Sequence, residues 1–252
     1  MIRGLDHFSE YFKELKDHFV VVGGTAATLL LEHIGITFRA TKDIDIVIIT
    51  NDTGEFADKL ADYVKLGQYE IQSNEGRPRF YRFLKPSNLD FPFQIELFYK
   101  RPEGLELFGK QHIIPIKAAS NDLGISAILL ESEYFEFIRN NVRQMKGVPT
   151  ATIEATIILK ARAFCDLVSR KSQGDEVDSR DILKHKKDIF RLAQALLRPD
   201  SRVKLDGVLR TDFEEFIRAM EADASLTDTF RNLKLAQKPA EMIELLKKHF
   251  LD

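Results

Sequence analysis

Two aspartates, Asp43 and Asp45, stand two residues apart in the run DIDIVII, about twenty residues after a Gly23-Gly24-Thr25 turn. On a strand, positions i and i+2 share a face, so the two carboxylates lie side by side. Such a pair repels itself unless the face is wet or a cation lies between the charges, and all-oxygen ligation suits Mg²⁺. Taken alone, the Asp-x-Asp spacing is better read as a solvated strand face. The glycine turn changes that reading. Gly23-Gly24 lets backbone approach a ligand without Cβ interference, and Thr25 is expected to open a helix, cap its free N–H groups and leave a positive terminus suited to phosphate. A phosphate cradle followed by an acidic strand is the donor set for a metal-bridged phosphoryl group.

The elements that must position these residues are legible around them. Phe19 to Val22 is a short β-branched run that ends at the glycines, Ala26 to Ile34 supply a helix body, and Asp43 to Ile49 form the second strand, with Ile44, Ile46 and Ile48 on the face opposite the aspartates. Other phosphate loops fit poorly. No Lys-Ser or Lys-Thr follows the glycines, and the third glycine of a dinucleotide fingerprint is missing. A further strand, FPFQIELFY from Phe91 to Tyr99, puts Gln94, Glu96 and Phe98 on one face and Ile95 and Leu97 on the other. Glu96 is a carboxylate in an otherwise apolar strand. Burying it is costly unless it is paired or metal-bound, which makes it the candidate third acid, ahead of Asp90 where that strand begins.

The Gly-Gly-Thr turn followed by Asp43 and Asp45 resembles the nucleotidyltransferase superfamily, and the fuller string Arg39-Ala-Thr41-Lys-Asp43-Ile-Asp45-Ile resembles its AbiEii-like abortive-infection toxin branch. The resemblance runs from Phe19 to about Leu192. It implies an α/β nucleotidyltransferase-fold mixed sheet flanked by helices, followed by a C-terminal α-helical domain. It further implies a two-metal Mg²⁺ site on Asp43, Asp45 and Glu96, and a nucleoside triphosphate held by Gly23, Gly24 and Thr25. In the second half it gives Lys160, within ILKARAF, and Lys187 and Asp188, within KHKKDIFRL, to the nucleotide. Phe190-Arg191 stands where many members carry an acidic residue. The implied reaction moves an NMP group to a hydroxyl of an acceptor, RNA or protein, and the implied partner is a cognate antitoxin. Transfer to a small molecule of the aminoglycoside kind, and a catalytically silent binding subunit, are the alternatives.

The chain of 252 residues is 44% hydrophobic and 30% charged, with net charge −2 and mean hydropathy −0.21. That balance predicts a globular protein with two modest domains, no membrane span and a cytoplasmic location, and it argues against nucleic-acid binding through bulk charge. The domain boundary is placed at the break Lys146-Gly147-Val148-Pro149, giving a core over 1–148 and a helical part over 149–252. The opening residues read as an amphipathic helix with Phe8, Phe12 and Leu15 on one stripe. Lys160 falls on the apolar stripe Ile157–Phe164, either as a snorkelling stem or as a cation aimed into a cleft toward phosphate, and folding is expected to tolerate Lys160→Met in both cases. Asp181, His185 and Asp188 are expected to share a polar helix face. The run Lys184-His185-Lys186-Lys187 reads as a solvated face or a phosphate contact. The single cysteine, Cys165, reads as a core residue, and the six histidines never reach zinc spacing.

Overall fold

The computed structural model describes residues 2–74, 77–102, 113–116, 125–197 and 202–252. The chain divides into two compact units, Met1–Glu32 with Arg39–Thr152, and His33–Phe38 with Ile153–Asp252.

In the first unit, α1 (Leu5–Tyr11) and a 3₁₀ stretch (Lys13–His18) lead into β1 (Phe19–Val22), whose four residues are all buried. Then follow α2 (Gly23–His33), β2 (Asp43–Ile48), α3 (Gly54–Leu66), β3 (Glu70–Asn74), β4 (Arg77–Leu84) and β5 (Gln94–Lys100). The unit continues through β6 (Ile113–Ile116), β7 (Ile125–Leu130), α4 (Ser132–Asn140), β8 (Val142–Met145) and β9 (Val148–Ala151). Among the described residues the strands form one mixed sheet in the order β3-β4-β5-β2-β1-β9-β8. Strand β1 runs antiparallel to β2 and parallel to β9, and β2 runs parallel to β5. Strand β4 pairs with the first half of β5 and β7 with its second half, so a single strand serves two partners along the same edge.

The expected stripe of Phe8, Phe12 and Leu15 is buried, and a chain of rings links Phe8, Phe12, Phe19 and Phe56 at centroid separations of 4.5 to 6.1 Å. Offset and edge-on packing of this kind adds to the area these side chains remove from water. On α3, Phe56, Leu60, Tyr63 and Val64 face the same core. Burial pushes the Tyr63 phenol upward.

The break read at Lys146-Gly147 is a hairpin turn. Both residues have positive φ, 44° and 81°, the backbone of a two-residue connection whose twist matches the flanking strands β8 and β9. The chain therefore stays in the sheet through Ala151, and the division by contacts falls after Thr152. The polar run Ser73-Asn74-Glu75-Gly76 reads from sequence as a turn and 101–117, with its prolines and glycines, as loops around a short strand; residues 75–76, 103–112 and 117 lie outside the described residues.

The second unit is helical: α5 (Ile153–Ser172), α6 (Ser179–Ala193), α7 (Gly207–Glu221), α8 (Leu226–Leu233) and α9 (Pro239–Phe250). Helix α5 packs against α6 and α7, and α9 against α6, α7 and α8. Helix α6 starts at Asp178, whose carboxylate accepts the Arg180 backbone N–H at 2.8 Å. The core between these helices is aromatic, with Phe164 edge-on to Phe216 at 5.5 Å, Phe190 to Phe230 at 4.7 Å and Phe213 to Phe250 at 4.8 Å. No described helix is long and apolar enough to cross a membrane.

Candidate active site

The first unit brings the glycine turn and the acidic strand together. Because β1 and β2 are antiparallel, Val22 at the end of β1 pairs with Asp45, and Gly23 comes next. Gly23 has φ +69°, and a Cβ built on it would meet Asp45 Oδ2 at 2.0 Å. Only glycine fits here, for conformation and for space alike. A Cβ on Gly24 would meet Thr41 Oγ1 at 3.0 Å and Arg39 Nη2 at 3.3 Å. The backbone at the head of α2 is thus lined by Asp45, Thr41 and Arg39.

Thr25 plays a different part from the cap expected of it. The helix begins two residues earlier, and the buried Thr25 hydroxyl donates to the Asp43 carbonyl at 2.6 Å. It pins the start of β2 to the first turn of α2. The start of β2 is also held to β5, because the Phe93 N–H donates to the Lys42 carbonyl at 3.2 Å and the Lys42 ammonium lies 4.1 Å over the Phe93 ring.

Strand register arranges the carboxylates. Asp43 pairs with Gln94 and Asp45 with Glu96 across the parallel β2–β5 ladder, and Glu96 pairs with Arg82 across the antiparallel β5–β4 ladder. Laterally paired residues point to the same side. One row on that face reads Arg82, Glu96, Asp45, Val22, and the next reads Leu84, Gln94, Asp43. On the opposite face Ile44, Ile46, Ile95 and Leu97 are buried, as the alternation predicted.

Glu96 is 8% exposed, and its Oε1 accepts from Arg82 Nε at 3.1 Å and Nη2 at 2.5 Å. Burial works against the Arg82 charge, but the Glu96 carboxylate outweighs it, with Tyr81 and then Asp45 adding smaller amounts, and the guanidinium pKa is raised. The expected three-acid cage of Asp43, Asp45 and Glu96 is therefore grouped by backbone but not closed by side chains. Among the described residues no three His, Cys, Asp or Glu side chains are arranged to hold a metal ion. Glu96 has its charge met by Arg82 instead.

In the second unit Lys160 and Asp188 meet each other. Lys160 Nζ donates to Asp188 Oδ2 at 2.8 Å, with the two side chains 6% and 1% exposed. Lys160 is accordingly not a snorkelling stem, and Asp188 does not belong to a solvated face with the exposed Asp181. Lys187 is half-buried on the same helix. Its neighbour Lys186 leaves the proposed basic patch altogether, since it is buried and donates to Asp223 at 2.6 Å and to Ser225 at 3.2 Å.

Arg39 and Thr41 enter the sequence reading only within the string that carries the resemblance, with no role of their own, and Arg82 is not singled out at all. Arg39 and Thr41 continue the i, i+2 spacing of Asp43 and Asp45, which was the available signal. Arg82 carried no local signal, because its role depends on which strand β5 chooses as a neighbour.

Comparison with known proteins bears on this arrangement. No curated protein and no solved structure matches the chain. Residues 8–251 match the family described as "Nucleotidyl transferase AbiEii toxin, Type IV TA system". That match covers nearly the whole length, both the sheet that carries the glycine turn and acidic strand and the helical unit, and the chain belongs to the AbiEii nucleotidyl transferase toxin family.

Proposed function

We propose that the protein transfers an NMP group from a nucleoside triphosphate to a hydroxyl of an acceptor, in a Mg²⁺-dependent reaction at the head of α2. The observation that carries this reading is the close approach of the Gly23 backbone to the Asp45 carboxylate, where a Cβ would not fit, which sets the first turn of α2 beside the acidic strand. Mg²⁺ usually takes one or two protein carboxylates together with substrate phosphates and water, and Asp43 with Asp45 fits that donor set. When bound, the ion neutralises phosphate charge and orients the leaving group.

The chain's own residues do the rest. The backbone N–H groups at Gly23 and Gly24, with Asp45, Thr41 and Arg39 set around them, would receive the phosphates. Arg39, lying against Gly24, adds positive charge at that terminus. Thr25 holds Asp43 in register through its carbonyl. Glu96, paired with Asp45 across the ladder, is the carboxylate we assign to accept the proton of the attacking hydroxyl, beside the oxygen that Arg82 engages. Lys160 and Asp188 satisfy each other, so their first role is to hold α5 to α6. The nucleotide role implied for Lys160, Lys187 and Asp188 is read in nucleotide affinity, using Lys160→Arg, which keeps the charge. The acceptor is RNA or protein, and the family's type IV label makes a cognate antitoxin the expected regulatory partner.

A thermal-shift matrix over four nucleoside triphosphates, with and without Mg²⁺, tests the reading. Nucleotide and metal together should raise the melting temperature more than either alone, by linkage. Asp45→Asn should stay folded, lose that joint shift and lose transfer. A matrix with no joint effect for any nucleotide refutes the proposal.

A further inference from the structure

Arg82 is assigned no part in the chemistry above, yet it stands at the end of the row that contains Glu96 and Asp45. Its guanidinium places two N–H groups on one oxygen of a nearly buried carboxylate, and its own side chain is 34% exposed. A face carrying Asp43, Asp45 and Glu96 has three negative charges, and Arg82 sets a positive charge at the end of their row. We infer that Arg82 is a positioning residue that competes with a metal ion for this face, holding Glu96 aside so that the metal is admitted together with a nucleotide rather than alone. The inference rests on the metal and nucleotide reading proposed above.

The physical argument is one of charge and reach. Strands lie about 4.8 Å apart, so a divalent ion beside Asp45 would sit roughly 7 Å from a guanidinium held over Glu96. A positive charge at that range weakens divalent binding by about tenfold even when screened as in water. Arg82 also engages one of the two Glu96 carboxylate oxygens. A triphosphate reverses both effects. It brings negative charge that offsets Arg82, and it supplies the oxygen ligands that Glu96 does not.

The test is a titration with Mn²⁺ alone, followed by the loss of the free-ion electron paramagnetic resonance signal, on the full chain without nucleotide. Four proteins are compared: wild type, Arg82→Gln, Glu96→Gln and the double variant. Arg82→Gln should bind Mn²⁺ about tenfold more tightly than wild type. Should that variant fail to fold because Glu96 is left buried and unpaired, the second comparison decides. The double variant replaces the ion pair with two neutral amides and should bind Mn²⁺ about tenfold more tightly than Glu96→Gln, which keeps the Arg82 charge. Equal affinities within each pair, or weaker binding once Arg82 is removed, overturn the inference and leave the site reading standing. No Mn²⁺ binding by any of the four, with a non-hydrolysable triphosphate present or absent, overturns the site reading and the inference with it.

Discussion

Replacing Lys160 by methionine removes one half of an ion pair that water barely reaches. Lys160 and Asp188 are 2.8 Å apart, with side chains 6% and 1% exposed. Methionine preserves the apolar stem but takes away the ammonium that donates to Asp188, and breaking a buried pair in this way costs about 3–5 kcal/mol. Domains of this size are stable by roughly 5–15 kcal/mol, so the loss is a large share of the total. This reverses the sequence expectation that Lys160→Met is neutral for folding. The double variant Lys160→Met/Asp188→Leu removes both charges and should return to within about 1 kcal/mol of wild type or exceed it. Urea unfolding followed by far-ultraviolet circular dichroism supplies the four corners of the cycle, with the coupling energy expected above about 2 kcal/mol. A single variant within about 1 kcal/mol of wild type, or a double variant whose loss is the sum of the singles, would refute the reasoning.

Three further outcomes are expected. Gly23→Ala places a Cβ 2.0 Å from Asp45 Oδ2 at a φ of +69°, so it should destabilise the protein by about 1–3 kcal/mol and abolish the joint shift with Mg²⁺ and nucleotide; a wild-type melting curve and nucleotide response would contradict the packing described for the turn. The Cys165 thiol is pushed up to about 12, by burial first and then by Glu215 and Asp212, so iodoacetamide at pH 8 should leave the native protein unmodified and label it only after unfolding. Burial alone would raise the Asp223 carboxyl, but hydrogen bonds from Lys186 and Ser225 outweigh it and lower the pKa below 3.8. The contribution of this group is complete above its unfolded pKa and is lost as pH falls through the folded value. Acid unfolding of Asp223→Asn should therefore be less steep below about pH 4 than that of wild type, measured by circular dichroism.

The sequence by itself determined much of the local structure and, through the Gly-Gly-Thr turn and the Asp43–Asp45 pair, the family. Period-two alternation in β2 and β5 and the apolar periodicity of the helices are short-range properties, and so is the glycine turn against which the acidic strand is set. The Asp43–Asp45 pair, the Gly23-Gly24 cradle and the acidity of Glu96 could be read from residue type and spacing alone. So could the buried stripe of Phe8, Phe12 and Leu15.

What spacing could not supply was the partner of each buried charge. Lys160 on an apolar stripe reads as a snorkelling stem until α6 is seen to place Asp188 opposite it. Glu96 in an apolar strand reads as a charge in need of a partner, and only the pairing with β4 shows that Arg82 is one. Lys186 sits in a basic run and yet is buried against Asp223, 37 residues away. The break at Lys146-Gly147 looks like a boundary because a tight hairpin and a linker use the same residues, and positive φ at both positions tells them apart only once the strands are paired. In each case the deciding quantity is the desolvation cost of a charge or the twist of a strand pair. Both depend on contacts distant in sequence, so only the tertiary structure decides them.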